Sequence, residues 1–361
     1  IGMLQGGGNP QGIGRVFRNA LAANVSVAVL LTAVMYTVYC FVDKLGQPEE
    51  LLPHIRPYFV LQLISLLFIM LFNGFRQFAE GLTDTRTPMW ILLGGNALNI
   101  FGNYLLIYGS FGLPEWGLFG AGVSTLVSRI VMLLVFIGVV AVARRYKVYR
   151  EAILRSRFNR NDFMQLNALG WPIALQMGME TAAFSLSAIM VGWLGSIPLA
   201  AHQIMISVST IGFMVYYGMG AALAVRVSHF MGQKDFSNLR RAVNSGMGII
   251  LSLAIVASLF FYLARTPIIY SFTEDHEVMV VVSSLIFSLI VYQFGDALQI
   301  TFANALRGTT DVKPMMWIAF FSYFIVALPV GYLCGFTWGG GVVGVGYTLQ
   351  IIAQKDGDPT V

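Results

Sequence analysis

The sequence predicts an all-α polytopic membrane protein. Of its 361 residues 57% are hydrophobic and only 11% charged, and the apolar residues fall in long unbroken runs. Globular domains carry about 25% charged residues, so this chain lacks the charged skin that keeps a soluble protein of its size dissolved. A bilayer core about 30 Å thick takes about 20 apolar residues as helix, and only a helix or a closed barrel satisfies the backbone there. Barrel strands would read as alternating segments of about ten residues, whereas these runs are continuous. The composition argues against a soluble enzyme and a nucleic-acid binder despite a net charge of +5.

The runs lie at about 20–42, 57–79, 88–108, 119–143, 168–194, 199–225, 242–264, 278–306 and 314–336, with a shorter tenth at about 340–354. Cys40 and Cys334 sit inside apolar runs and support neither a disulfide framework nor a zinc site. Pro88 and Pro314 fall in first-turn positions, where a missing N–H does no harm, and Pro329 is expected to kink its helix.

Orientation follows from the loops. With the segment before residue 20 in the cytoplasm, alternate loops hold 18 of the 22 Lys and Arg, including Arg144, Arg145, Lys147, Arg150, Arg155, Arg157 and Arg160. The opposite side holds Lys44, Arg56 and Arg265 and carries Glu49, Glu50, Glu274, Asp275 and Glu277. That bias fixes the topology by the positive-inside rule. The 144–160 run reads as a solvated connector drawn to anionic lipid.

An internal repeat supplies the organisation. The stretch Gly81–Pro88 recurs as Gly308–Pro314, Gly117, Gly120 and Gly122 recur as Gly341, Gly344 and Gly346, and Arg15 with Asn19 match Arg240 with Asn244, at offsets of 227, 224 and 225 residues. The second copy holds six helices and the first only four. The register therefore places about 60 residues and two helices ahead of Ile1, in an expected parent of twelve helices of which about ten are present. Six being even, the two copies share one orientation about an axis along the membrane normal. The expected parts are 1–143, the remainder of an N-terminal bundle; 144–165, a basic cytoplasmic connector; and 166–361, a C-terminal six-helix bundle with a short last helix and a disordered tail.

Ionisable groups at depth are the informative residues, because each costs about 2.5–3.5 kcal/mol at a helix centre. Glu180 lies near the middle of its run with Gln176 one turn before it; Asp296 lies deep in the 278–306 run with Tyr292 four residues before and Gln299 three after. Either acid could be a structural hydrogen-bonding group, or the two could share a site for a proton or Na⁺. No Lys or Arg is expected at that depth in the second copy to neutralise them. Glu80 beside Arg76 reads as an ordinary ion pair and His202 as a helix-end hydrogen-bonder; Arg129 snorkels or pairs with an acid. Most Met and Phe residues read as packing, and some Met as the lining of a deformable cavity.

These residues resemble a known family. The stretch Leu166–Gln176 with Glu180 is similar to the seventh helix of multidrug and toxic compound extrusion (MATE) transporters, and Ala200–Gln203 with Arg226–Gly232 to the ends of the eighth. Tyr292–Gln299 resembles the tenth helix of the NorM-like branch, and Glu80–Pro88 the link between the fourth and fifth. The resemblance implies export of amphipathic, often cationic drugs in exchange for Na⁺ or H⁺ by alternating access, with no catalytic site and no cofactor beyond the coupling ion. Glu180 and Asp296 would be the cation-binding carboxylates (and the metal ligands if the ion is Na⁺) and Tyr292 an adjoining ligand. Gln176, Met179 and Gln299 would lie on the substrate path. The family's first-helix acid has no counterpart among these residues. Expected partners are small-molecule drugs and membrane lipid, without nucleic acid, for a monomer in the bacterial inner membrane. A flippase for a lipid-linked saccharide, from a related two-bundle fold, is the alternative; it calls for a basic cluster that only Arg129, Arg76 and Arg226 could begin to supply.

Overall fold

A computed structural model of the chain describes residues 1–44, 49–112, 114–337 and 341–342, without the side chain of Glu49. The tenth run at 340–354, Gly344, Gly346 and the tail expected to be disordered lie outside the described residues, apart from Gly341 and Val342. Among the described residues the fold is helical, with no strand. A short helix α1 (Gly2–Gly6) precedes α2 (Pro10–Cys40), α3 (Leu52–Gly81), α4 (Arg86–Ile107), α5 (Gly117–Val142), α6 (Lys147–Arg155), α7 (Arg160–Gly192), α8 (Ser196–Gln233), α9 (Phe236–Leu263), α10 (Arg265–Phe272), α11 (His276–Thr309), α12 (Lys313–Phe320) and α13 (Leu328–Tyr332). Nine helices among the described residues, counting Lys313–Thr337 as one, are long and apolar enough to cross a bilayer. Most extend past the apolar runs at their polar ends; α8, for instance, continues through Arg226 to Gln233.

Large apolar side chains stand exposed along these helices, among them Leu30, Ile100, Leu134, Val256 and Phe287. In water such a surface would aggregate; facing lipid it is the expected band. Asn9 caps α2 by accepting from Gly12 N–H at 2.9 Å, and Asp235 caps α9 by accepting from Asn238 N–H at 3.1 Å. The latter bond holds the Asp235 carboxyl below its ordinary range.

The helices form two compact units, Ile1–Asn167 and Ala168–Val361. In the first, Ile13, Phe17, Phe72, Phe78, Ala79 and Phe136 make the core, with the Phe17 and Phe78 rings stacked 4.2 Å apart. The basic connector is more than a solvated loop. Residues Arg144–Tyr146 form a helical turn leading into α6, and Tyr146, 1% exposed, is part of that core. Its hydroxyl donates to Asp84 Oδ2 at 2.5 Å, beside an ion pair from Arg145 to the same oxygen at 2.9 Å. Arg129, half-buried part-way along α5, donates to Ser65 and Gln62 of α3, so its partners are an amide and a hydroxyl rather than an acid.

In the second unit α8 and α11 share the most extensive helix contact. Glycine allows their close approach: a Cβ on Gly212 would come within 2.7 Å of the Gln293 side chain, and one on Gly220 within 2.5 Å of Asn304. Val191, Ala201, Val208, Phe261, Val282 and Leu285 fill the core near one end. Beyond α12 the chain continues through two π-helical turns, Phe321–Ala327 and Leu333–Thr337, on either side of Pro329. The Leu328 N–H reaches back to the Tyr323 carbonyl, five residues away, and Pro329 has no N–H to give. The expected disturbance at Pro329 is thus spread over two wide turns.

The repeat is visible in the backbone. Thr83 and Thr310 both take positive φ, 64° and 65°. Each turn closes the same way, with Thr83 N–H to Glu80 and Asp84 N–H to Ala79 in one, Thr310 N–H to Arg307 and Asp311 N–H to Leu306 in the other. Gly117 and Gly341, also equivalent, have φ of 51° and 54°, a left-handed conformation that favours glycine.

A candidate cation site between two cavities

The site is built on α7 and α11 of the second unit. Asp296 is 1% exposed, and among the described residues its Oδ2 has no hydrogen-bond partner. An unpartnered carboxyl oxygen at that depth is costly unless something else occupies the space beside it. Glu180 and Asp296 lie within electrostatic reach of each other, and Tyr292 is within reach of both. Tyr292, Asp296 and Gln299 thus form the polar stripe expected on α11.

Gln176 and Gln299 frame the site on one side, one turn before Glu180 on α7 and one turn after Asp296 on α11. Gln176 is 3% exposed and donates to Glu180 Oε2 at 3.4 Å. Gln299 donates to the Tyr323 hydroxyl at 3.0 Å. Both glutamines line a small cavity of about 30 Å³. Met179 packs instead with the cluster of Ala183, Ala319 and Tyr323. A second, larger cavity of about 70 Å³ lies on the other side of the acids, lined by Phe184, His202, Ser209, Ser288 and Tyr292 among others. Phe184 follows Glu180 by one turn of α7 and Tyr292 precedes Asp296 by one turn of α11. Along α7 and α11 the acids therefore sit between residues that line the two cavities.

Two sequence expectations change. Arg307 does enter the neighbourhood of the acids, with its guanidinium donating to Gln176 Oε1 at 2.9 Å and its charge within reach of Glu180. Its Cα is in the last turn of α11, but helix side chains lean toward the helix N-terminus, which here points back into the membrane. His202, expected to bond at a helix end, is 7% exposed, and its Nε2 has no hydrogen-bond partner among the described residues. The Arg76–Glu80 ion pair forms as expected, at 2.7 Å.

Sequence reasoning missed Tyr216 and Gln293. Tyr216 is fully buried, its hydroxyl is unpartnered among the described residues, and it lies within electrostatic reach of Asp296. Gln293 is also fully buried, with both amide atoms unpartnered among the described residues. The signal for Gln293 is its spacing: Gln293, Ala297, Ile300 and Asn304 recur as one buried face of α11 opposite the glycines of α8.

Comparison with known proteins settles the family and the fold. The chain is 29% identical over 345 residues to a probable multidrug resistance protein NorM of Photorhabdus laumondii, covering 94% of this chain and 76% of that one. It is 34% identical over 348 residues to the multidrug resistance protein PmpM of Pseudomonas aeruginosa, covering 93% and 71%. A crystal structure of MATE in complex with MaL6 superposes with a TM-score of 0.87 at 18% identity, over 99% of this chain and 79% of that one, and so shares its fold. The MatE family model matches residues 1–105 and 172–333. With that match spanning most of its length, the chain belongs to the MatE family of integral membrane transporters.

Proposed function

We propose that this protein is a multidrug efflux antiporter, exporting amphipathic or cationic drugs in exchange for Na⁺ or H⁺ by alternating access. The reading places it in the bacterial inner membrane as a monomer surrounded by lipid. Glu180 and Asp296 bind the coupling cation, as ligands if it is Na⁺ or as proton acceptors if it is H⁺, and Tyr292 adjoins them. Gln176, Met179 and Gln299 border the drug's path. The observation that carries the reading is the buried Asp296 carboxyl, with an oxygen unpartnered among the described residues and a second acid in electrostatic reach. Two carboxyls so placed favour a bound cation and release it when their surroundings change. Exchange requires that drug and cation each bind the two transporter arrangements with different affinity.

The test is Asp296→Asn, expressed in cells and assayed for dye efflux under an imposed Na⁺ or pH gradient. The variant folds and reaches the membrane, and ion-driven efflux is lost. Efflux at the wild-type rate removes Asp296 from the mechanism. The flippase alternative gains nothing from Arg129, which is already engaged by Ser65 and Gln62.

A further inference from the structure

The cavity lined by His202 holds the clearest function left over. Two of its wall residues carry buried polar atoms with no hydrogen-bond partner among the described residues, His202 Nε2 and Ser288 Oγ, on side chains 7% and 2% exposed. Leaving such atoms dry is unfavourable, because each gives up its hydrogen bonds to water with nothing in return. The cavity is large enough for several waters, since one water needs roughly 10–15 Å³ of such volume. Tyr292, one turn from Asp296 on α11, also lines it. Most of the remaining wall, including Phe184, Met205 and Leu289, is apolar, and the Ser209 hydroxyl there is donated to the Ile206 carbonyl.

We propose that His202 relays protons from the outer end of this unit to the acid pair, through water held between His202, Ser288 and Tyr292. The inference rests on the reading of Glu180 and Asp296 as the coupling-cation site and names how a proton reaches it. The charge bias of the loops places the His202 end of α8 outside and Arg307 at the cytoplasmic end of α11. A hydronium ion in the cavity gives its proton to neutral His202 at Nε2. The imidazolium returns a proton to cavity water, and the proton ends on a site carboxylate. Imidazole and water are regenerated, so no other reactant is consumed. Histidine suits the step because its charge changes within the physiological pH range.

The groups facing His202 are few. Across the cavity α11 presents Tyr292, with Asp296 one turn deeper, and α7 presents Phe184, with Glu180 one turn deeper. Arg265 of α10 lines an adjoining small cavity that shares Met205 and Leu289. On α8 itself Tyr216 and Tyr217 lie near mid-helix, Tyr216 within reach of Asp296, and Arg226 and His229 lie toward the far end. A proton arriving at His202 thus meets one cation in the next cavity and two acids beyond a tyrosine.

The test uses the protein reconstituted in vesicles loaded with a fluorescent cationic dye. Efflux is followed at a fixed pH difference while both pH values are moved together across about pH 5 to 8. Wild type shows a titrating limb in that range. His202→Gln folds, judged by a monodisperse size-exclusion peak, and binds dye with unchanged affinity, but loses that limb and most proton-driven efflux. Ser288→Val, which keeps the imidazole but dries the cavity, loses proton-driven efflux in the same way. A wild-type pH profile in both variants overturns the relay. So does a wild-type protein driven by Na⁺ and indifferent to pH, although that outcome leaves the acid-pair reading intact. Only retention of coupling by Asp296→Asn removes the acid-pair reading.

Discussion

The turn after α3 and the turn after α11 share a backbone and differ in chemistry. Each places a threonine at positive φ and closes with the same pair of main-chain hydrogen bonds. In the first, Asp84 accepts from the Tyr146 hydroxyl and from the Thr87 amide and hydroxyl and pairs with Arg145, so the turn is latched to the connector. Glu80, just before it, is closed off by Arg76 on its own helix. In the second, the position of Glu80 is taken by Arg307, which reaches across to Gln176 beside Glu180. Duplication preserved the scaffold of the turn, while the charges in it came to serve anchoring in one copy and the buried acids in the other.

The sharpest test of that contrast removes one arginine at each turn. Arg307→Ala frees Gln176 and removes a cation from the field of Glu180; coupled efflux should fall about tenfold or more, as is common when a group that orients a ligand is deleted. Arg76→Ala, at the first turn, should leave the ion dependence of efflux unchanged. Equal losses from both variants would dissolve the functional distinction between the turns.

A smaller effect is expected from Asp84→Asn. Burial alone would raise the Asp84 carboxyl, but the bonds from Tyr146 and Thr87 and the Arg145 charge together hold it below its ordinary value. The same neighbourhood raises the Tyr146 phenol, through burial first and then the Asp84 carboxylate. A carboxyl with a lowered folded-state value contributes stability above its unfolded value, about 4, and that stability is lost as pH falls through the folded value. Asp84→Asn should therefore lower the melting temperature in detergent by a few degrees near neutral pH, consistent with about 1–3 kcal/mol. The gap from wild type should close on acidification. A gap that persists at low pH would mean that the latch is not electrostatic.

The smallest effect is expected from relieving the two threonines. A non-glycine residue in the left-handed region costs roughly 1–2 kcal/mol, and glycine returns part of this to the unfolded chain. Thr83→Gly and Thr310→Gly should each raise stability by about 1 kcal/mol or less, and by similar amounts. Unequal responses in thermal melts would show that the two backbones are alike in shape but not in strain.

Much of this was legible in the sequence for physical reasons. Spanning helices announce themselves because lipid demands unbroken apolar runs, and the acid pair because an ionisable group at depth is rare. The helix ends were less legible, since Arg226, Ser228, His229 and Gln233 are polar yet continue α8. The connector was misjudged from its charge; Tyr146, Tyr149 and Ile153, at spacings of three and four, were the sign of a buried face. Arg307 escaped because its position in the sequence marks its Cα, while its guanidinium lies further into the membrane than that position suggests. His202 escaped because a shortage of hydrogen-bond partners is a property of the packed structure and has no signature in a string of residues.

The wide turns around Pro329 have a mechanical consequence. An α-helix resists bending because every turn is pinned at a four-residue interval; here the pins are five residues apart on both sides of a residue that contributes none. A given deflection costs less at such a joint than anywhere along α8 or α11. The rod running from Lys313 to Thr337 is compliant from Phe321 onward, while the neighbours that carry His202 and Asp296 are continuous α-helix.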